Sequence, residues 1–286
     1  MQEKKESNSV IEKLYKGDAI IERREMPAGG HRYYVKTSSD EKASLKTGVT
    51  TFIGIKDKSV PLMIFAVEQM RDKLLETLVE RPLTDEDIIK SMDAHRETKD
   101  NAADIGTKIH AWIEGYIKFK MGLGELPERP TDPAIILGVN GWLSFVEEHE
   151  IEYIASEKLV YSMANDFVGT LDLKARIDGK LAMLDIKSSN GLYNSVLMQT
   201  AAYLKADEEE SGDQYETRWA VRVAKETEEE YIARMEKKGK PTYPPYVPFE
   251  AMCLDEYDVD ADYEAFLAFK QGFEWNKKTD FYLNKK

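Results

Sequence analysis

A two-residue turn between two alternating strands is the strongest constraint on the fold of this chain. Asp178-Gly179 separates the runs 167–177 and 180–187, in each of which apolar and polar residues alternate. An Asp-Gly pair in this setting is typical of a tight β-hairpin. The turn therefore predicts an antiparallel pair of strands whose register is set by the turn itself.

The predicted register brings two acidic residues together. The turn sets Ile177 opposite Lys180, and equal steps back along both strands then put Asp172 directly opposite Asp185. Directly opposed Cβ atoms lie roughly 5 Å apart, where like charges are destabilising. Lys187 points to the same side as Asp185 because side chains alternate along a strand. The hairpin thus predicts two carboxylates with an ammonium beside them.

The reverse face of the hairpin is apolar and should pack against a core. It carries Leu171, Leu173, Ala175 and Ile177 on one strand and Ala182, Leu184 and Ile186 on the other. Aspartate is a poor strand former, so two aspartates aligned on one face favour a functional role over solvated surface charge. Their repulsion can be offset by a raised pKa, a nearby cation or a bound divalent metal.

Such a pair of carboxylates suits phosphoryl chemistry. Carboxylate oxygens can hold one or two hard cations and leave positions for water and phosphate. Lys187, two residues after Asp185, could orient or deprotonate an attacking water, or stabilise charge on the phosphorane.

Two helices supply further candidates. An apolar stripe predicts a helix around residues 105–117, and it comprises Ile105, Ile109, Trp112, Ile113, Tyr116 and Ile117. His110 and Glu114 flank this stripe, where they could reach a neighbouring site or simply hydrogen-bond each other at the core edge. Gln199 and Tyr203, one turn apart on the helix after Lys187, could bind a phosphate oxygen or decorate a helix surface.

The order of elements predicts an α/β fold with a mixed central sheet flanked by helices. Helices are expected in two or three pieces over 60–120 with a break near 81–82, and then over 131–149, 194–206 and 256–275. Strands are expected in a hairpin over 18–36 and then over 151–163, 167–177, 180–187 and 217–224. Glu157, in the strand before the hairpin, is a possible extra carboxylate. We expect an N-terminal arm over 1–60, a main unit over 61–286 and a surface insertion near 226–248.

Composition limits the classes of function. The net charge is −13, but residues 1–60 carry 12 basic and 9 acidic side chains while the remainder carries 28 and 44. Any attraction to nucleic acid must therefore be local. A single cysteine, Cys253, excludes an internal disulfide, a cysteine-only zinc site and a four-cysteine iron–sulfur cluster within this chain. We expect a cytoplasmic protein without a membrane span or a signal peptide.

Four short motifs occur in a fixed order, over roughly residues 100–205. They are Gly106-Thr107-x-x-His110, Gly169-Thr170-Leu171-Asp172, Asp185-Ile186-Lys187 and Gln199-x-x-x-Tyr203. Together they resemble the PD-(D/E)XK nuclease superfamily in its RecB-like exonuclease branch. A weaker likeness at residues 48–53 and in the helix from Val60 resembles phage exonucleases and the mitochondrial genome maintenance exonuclease. The resemblance implies a restriction-endonuclease-like core.

The resemblance also implies roles for the residues of the motifs. His110, Asp172, Asp185 and the carbonyl of Ile186 would bind Mg²⁺ or Mn²⁺, and Lys187 would be catalytic. Gln199 and Tyr203 would assist near the scissile phosphate, and Glu114 and Glu157 would be auxiliary. The first acid follows Leu171 where many members have proline, and this chain cannot build the iron–sulfur cluster of some relatives.

We therefore expect a metal-dependent deoxyribonuclease, an exonuclease of phage or prophage type that acts in recombination, replication or repair. Its expected partners are single-stranded DNA or duplex ends and a single-strand-binding or recombination protein, in the host cytoplasm if it is phage-encoded. The alternatives are an endonuclease of the same fold, a non-catalytic DNA-binding or interaction module, and a phosphohydrolase of small nucleotides.

Basic and aromatic residues near the N-terminus are candidates for DNA contact. The candidates for the DNA backbone are Lys36, Lys42, Lys46, Lys56 and Lys58, and those for base stacking are Tyr33 and Tyr34. The alternative is an ordinary solvated surface.

Overall fold

The computed structural model describes residues 9–27, 29–239 and 245–283. Residue 28 of the predicted N-terminal turn, residues 240–244 of the predicted insertion and both chain ends lie outside them. The described chain is a mixed α/β fold with two sheets and flanking helices. Within it, no helix combines the length and apolar character needed to cross a lipid bilayer.

The predicted N-terminal hairpin is the centre of a four-stranded antiparallel sheet. Its strands, in spatial order, are β1 (Ser9–Leu14), β2 (Ala19–Glu25), β3 (His31–Thr37) and β4 (Ser44–Lys46). Neither β1 nor β4 is predicted from the sequence. Both are edge strands, and β1 buries only its last residue, so neither shows the apolar alternation that marks a half-buried strand.

The region predicted as helical consists of three helices with the expected break at Arg81-Pro82. The helices before the central sheet are α1 (Val49–Ile53), α2 (Ser59–Glu80), α3 (Asp85–Ser91), α4 (Ala94–Lys120) and α5 (Pro133–Glu148). Local chemistry sets their starts: Thr84 forms a capping box with Asp87, and the Asp132 carboxylate caps α5 ahead of Pro133.

The central sheet has five strands. In spatial order they are β5 (Ile151–Ser162), β6 (Phe167–Ile177), β7 (Lys180–Lys187), β8 (Thr217–Val223) and β9 (Phe249–Cys253). Only β7 and β8 are parallel, and α6 (Ser195–Ser211) makes the crossover between them. The predicted insertion contains α7 (Glu228–Lys237), and α8 (Val259–Leu283) ends the described chain. The sequence analysis missed β9.

Different elements cover the two faces of the central sheet. The helices α4 and α5 pack on one face, against apolar residues of β6, β7 and β8. The helices α1, α6 and α8 pack on the other face. The N-terminal sheet packs on Leu159 and Val168, which belong to β5 and β6. Because Phe167 packs on the α6 side, the neighbouring Val168 and the N-terminal sheet lie on the α4 side.

One residue of the predicted apolar face lies on the opposite face of the sheet from the others. Leu173 packs against α4 and α5 as expected, but Leu171 packs with Phe167 on the α6 side. The alternation breaks opposite Glu157 of β5, which has a left-handed φ of 51° and is skipped in the pairing of β5 with β6. Such an irregularity re-aims side chains, and here the residue between the two leucines is Asp172.

Candidate functional site

The hairpin forms as predicted near its turn and then opens. Asp178 and Gly179 have φ values of 51° and 83°, as a type I′ turn requires. The predicted register holds from Ile177 opposite Lys180 to Leu173 opposite Leu184. The ladder ends at that pair. Further along β6, Val168 forms an isolated parallel bridge with Gly48 instead of pairing with β7. We call the place where β6 and β7 separate, residues 168–172 and 185–187, the fork.

Asp172 lies at the fork, and its contact differs from the predicted one. The two strands form no ladder pair at Asp172 and Asp185. Instead, Oδ2 of Asp172 accepts a hydrogen bond of 2.7 Å from the backbone N–H of Ile186. In an unbroken antiparallel ladder Leu171 would accept that bond, so the carboxylate of Asp172 replaces a strand carbonyl.

Asp185 is the buried member of the pair. It is only 1% exposed, and Gln199 Nε2 of α6 donates to its Oδ1 at 3.1 Å. The Lys187 ammonium lies 2.5 Å from Oδ2. That oxygen accepts no hydrogen bond of acceptable geometry from the residues that the structure describes. A buried carboxylate oxygen held only by one charge contact leaves room for a further cation.

The side chains at the fork carry more negative than positive charge. Burial raises the pKa of Asp172 well above its usual value, the neighbouring Asp185 raises it further, and Lys187 offsets only part of the effect. Two acids therefore share one ammonium, and the structure disfavours the state in which both carboxylates are charged. The repulsion predicted from the register persists at the fork.

His110 faces the same region from α4. Burial lowers the pKa of its imidazole, and Lys187 and Lys225 lower it further, so the ring is neutral at pH 7. It makes no hydrogen bond to Glu114, whose carboxylate is bonded to Lys118. Among the described residues, no group of three or more His, Cys, Asp or Glu side chains is close enough to hold a metal ion. The structure thus joins the two aspartates but leaves His110 outside a ligand cluster.

Gly169 allows α6 to reach the fork. A Cβ atom at this position would lie 2.2 Å from Tyr203 Cε1, so only glycine lets the ring pass over β6. Gln199 Nε2 donates to the Tyr203 hydroxyl at 3.3 Å. Burial raises the pKa of Tyr203 well above its usual value, so the phenol keeps its proton. The two α6 residues predicted from the sequence therefore contact each other, and Gln199 also contacts Asp185.

A cleft of about 1050 Å³ opens above the fork, between the N-terminal sheet and α4, with α2 as a further wall. The predicted residues that line it are Tyr33, His110, Glu114, Glu157, Asp172, Gln199 and Tyr203. Asp185 and Lys187 do not line it, because Asp185 lies beneath the surface of the cleft. The cleft thus joins predicted residues from five elements, β3, α4, β5, β6 and α6.

Glu157 is fixed at the floor of the cleft by a residue that the sequence analysis missed. Arg23 of β2 binds Glu157 Oε2 at 3.0 Å and the Thr170 hydroxyl at 3.3 Å. Burial raises the pKa of Glu157, Arg23 lowers it, and Glu114 raises it again. Arg23 could have been found only from the packing of the N-terminal sheet, since 134 residues separate it from Glu157.

The predicted stacking residues do not offer free ring faces. Tyr33 is 6% exposed, its hydroxyl pairs with that of Thr170 at 2.8 Å, and it packs in the core beneath the N-terminal sheet. The guanidinium of Arg24 lies 4.3 Å from the centre of the Tyr34 ring. Tyr33 lines the cleft, but alternation places most of its side chain on the buried face of β3, so stacking by Tyr33 stays a prediction.

The five lysines predicted to contact the DNA backbone differ in their surroundings. Lys46 pairs with Asp166 at 2.7 Å, and Lys56 donates to Asn194 Oδ1 at 2.6 Å. Lys36, Lys42 and Lys58 are exposed. None of the five lysines lines the cleft.

Comparison of the chain with known protein families and with curated proteins found no match. The geometry of the fork and the cleft is therefore the basis for assigning a function.

Proposed function

We propose that this protein is a metal-dependent deoxyribonuclease, an exonuclease of the RecB-like PD-(D/E)XK type. The observation that carries the proposal is the pair Asp172 and Asp185, with the ammonium of Lys187, at the fork beneath a large cleft. The mixed sheet with helices on both faces supports the proposed restriction-endonuclease-like core.

The residues at the fork fit a divalent metal ion. Oδ2 of Asp185 is buried without a hydrogen bond from the described residues, and two carboxylates suit a hard cation. Asp172, Asp185, the Ile186 carbonyl and a reoriented His110 would hold it. Because Ile186 points its N–H towards Asp172, its carbonyl faces the same edge of β7. When bound, Mg²⁺ or Mn²⁺ would polarise the phosphodiester and neutralise its charge.

The other residues position the reactants. Lys187, held at 2.5 Å from Asp185, would direct its ammonium at charge that develops on the scissile phosphate. Gln199 holds Asp185 from the α6 side and leaves its second oxygen for the site. Tyr203, with its proton retained, would donate a hydrogen bond to a phosphate oxygen.

Hydrolysis of labelled DNA by matched variants tests this proposal. Wild type should cleave single- or double-stranded DNA with Mg²⁺ or Mn²⁺ and not with chelator. Asp185→Asn keeps the shape of the side chain but removes a negative charge that would hold the metal ion. It should reduce cleavage at least about a thousandfold, because the metal ion would polarise the reacting phosphate. Asp104→Asn is the control, because Asp104 is exposed on α4, pairs with Lys108 and does not line the cleft. Equal activity of Asp185→Asn and wild type would refute the nuclease assignment.

Two further substrates separate related activities. A closed circular DNA should resist an exonuclease and be cut by an endonuclease of the same fold. A panel of mononucleotides should remain intact, because the cleft is open to a strand rather than closed around a small ligand.

The second candidate is a non-catalytic DNA-binding module. Such a module would use the cleft and the residues around it without needing a metal ion. Calorimetric titration with Mn²⁺ separates the candidates, since a nuclease should bind the ion through Asp172 and Asp185. Binding that persists unchanged in Asp185→Asn, or no binding by wild type, would favour the module.

A further inference from the structure

Lys225 is a half-buried cation that forms no ion pair with the acidic residues described in the structure. It follows β8 and lines the cleft, and its Nζ donates to the carbonyl of Ala102 at 2.9 Å. No carboxylate within the described ranges forms an ion pair with it, whereas most buried lysines in proteins are paired. Burial lowers the pKa of Lys225, and the adjacent Glu226 offsets part of this effect. A partly desolvated ammonium that faces a cleft is a receptor for an anion.

The parallel pairing of β7 and β8 places Lys225 beside the end of the Asp185-x-Lys187 motif. Lys187 lies opposite Arg222, so the residues that follow both strands leave the sheet at the same edge. A Cβ atom at Gly106 of α4 would lie 2.6 Å from Ser188 Oγ and 3.8 Å from Lys225 Nζ. The Ser188 hydroxyl and the Lys225 ammonium therefore both lie next to Gly106, where α4 has no side chain. Ser188 Oγ makes no hydrogen bond with any residue that the structure describes.

Lys225 also lies where two cavities meet. A second cavity of about 630 Å³ lies between α2 and α7. It shares Phe65, Thr98, Ala102, Asn190 and Lys225 with the cleft above the fork. A chain that continued from the fork into this second cavity would pass the ammonium of Lys225.

We infer that Lys225 and Ser188 form a phosphate subsite for the nucleotide next to the scissile one, on a DNA strand that runs from the fork towards α7. This inference rests on the proposed nuclease function and adds the path of the strand. Lysine binds phosphate as a point charge, and a serine hydroxyl adds a donor without charge. The two residues would thus hold the backbone of the strand without reading its sequence.

Binding of fluorescein-labelled single-stranded DNA, measured by anisotropy in chelator, tests the inference apart from cleavage. Oligonucleotides of about 4, 8 and 12 nucleotides span the range of a single-strand site. Lys225→Met removes the charge and should weaken binding of the longer strands about tenfold at low salt. It should also lower the slope of log Kd against log salt by about 0.7, the share of one phosphate on a single strand.

Three variants control the experiment. Lys225→Arg keeps the charge and should bind within about threefold of wild type. Ser188→Ala should weaken binding about threefold without changing the salt slope, because it removes no charge. Lys108→Met is the control for a surface lysine, since Lys108 pairs with Asp104 outside the cleft, and it should leave binding unchanged. Thermal melting checks each fold, and if Lys225→Met does not fold, Lys225→Gln takes its place.

The outcomes separate this inference from the function on which it rests. If wild type binds DNA but Lys225→Met binds equally well with the same salt slope, the subsite is wrong and the nuclease proposal stands. If wild type binds no DNA in chelator but cleaves it with Mg²⁺ or Mn²⁺, the subsite is wrong and the nuclease proposal stands. If it neither binds nor cleaves DNA, both are wrong. Inorganic phosphate can also be added as a competitor of the labelled DNA. If Lys225→Met changes the effect of phosphate but binds every strand as wild type does, the site holds a free anion and the proposed strand path is wrong.

Discussion

Helix α6 covers two clusters of charge on the central sheet, and they are built in opposite ways. Gln199, Tyr203 and Asp207 follow each other at four-residue spacing along one face of this helix. The first two contact the fork, where two carboxylates share one ammonium. The third is an aspartate that binds two ammonium groups. The two carboxylates of the fork thus have one ammonium between them, whereas the Asp207 carboxylate by itself is bound by two.

The Asp207 cluster is satisfied internally. The carboxylate of Asp207 is bound by Lys158 and by Lys174, whose Nζ lies at 2.6 Å. The Tyr215 hydroxyl donates to the same carboxylate at 2.7 Å. Burial by itself would raise the pKa of Asp207, but the two lysines outweigh burial, and the pKa lies below its usual value. The cluster needs nothing from outside the chain.

The difference in pKa direction separates the Asp207 cluster from the proposed functional site at the fork. Burial acts on both Asp172 and Asp207, yet the pKa of Asp172 is raised and that of Asp207 is lowered. The chain supplies neighbouring cations to Asp207 and a neighbouring acid to Asp172. A fold that keeps an unfavourable acid pair at the floor of a cleft is best explained by a ligand that compensates it.

The largest expected effect on stability is at the satisfied cluster. Asp207→Asn would take the shared buried carboxylate away from the buried ammonium of Lys174 and the partly buried ammonium of Lys158, which would keep only Asp213 and Glu210. We expect the free energy of unfolding to fall by about 3 kcal/mol. Urea denaturation measures the change. Asp213→Asn is the matched control, because Asp213 also binds Lys174 but is half exposed, so its loss should cost far less. A loss below that of the control would contradict a structural role for Asp207.

The same cluster predicts a pH dependence of stability. An aspartate whose pKa is lowered in the folded state stabilises the fold above its unfolded pKa, about 4, and loses that contribution as the pH falls further. Wild type should therefore lose stability below about pH 4 more steeply than Asp207→Asn does. Equal slopes in denaturant titrations at successive pH values would show that Asp207 does not titrate in this way.

The next effect tests the contact that joins α6 to the fork. Gly169→Ala would place a methyl group 2.2 Å from Tyr203 Cε1, so the ring must move. Overpacking of this kind costs about 1–3 kcal/mol, and cleavage should fall at least about tenfold as Tyr203 leaves the site. Gly124→Ala is the control, since nothing lies within 4 Å of the added atom. A Gly169→Ala protein with unchanged stability would mean that Tyr203 does not pack on β6.

The smallest expected effect is a gain in stability rather than a loss. Asp172→Asn removes a charge that the fold disfavours while its amide oxygen can still accept from Ile186, so it should raise stability in chelator by about 1 kcal/mol, roughly 2 °C in Tm. The sign follows from linkage, because a carboxyl with a raised folded pKa costs stability as the pH rises above its unfolded pKa.

Asp178→Asn gives the reverse comparison on the same hairpin. The His149 ring and the Glu150 amide lower the pKa of Asp178, so its substitution should lower stability above about pH 4. Thermal melting of both variants in chelator measures the contrast. A drop in stability for Asp172→Asn would mean that the carboxylate at the fork is already compensated within the chain.

Neighbouring residues in the sequence determined the hairpin and the helix starts. The Asp178-Gly179 turn, the register near it and the capped start of α5 depend on contacts within a few residues, so they could be predicted. Gln199 and Tyr203 also follow from local spacing, and Asp207 could have been found as the next residue in the same series.

Contacts between distant segments decided the rest. Leu171 and Tyr33 took unexpected positions because a strand irregularity and a second sheet, neither visible in local alternation, set their surroundings. Lys225 could have been anticipated from the parallel pairing of β7 and β8, but Arg23 could not, since only the docking of the N-terminal sheet brings it to Glu157. Local periodicity specifies which side of an element is buried, whereas the partner that buries it is a property of the whole fold.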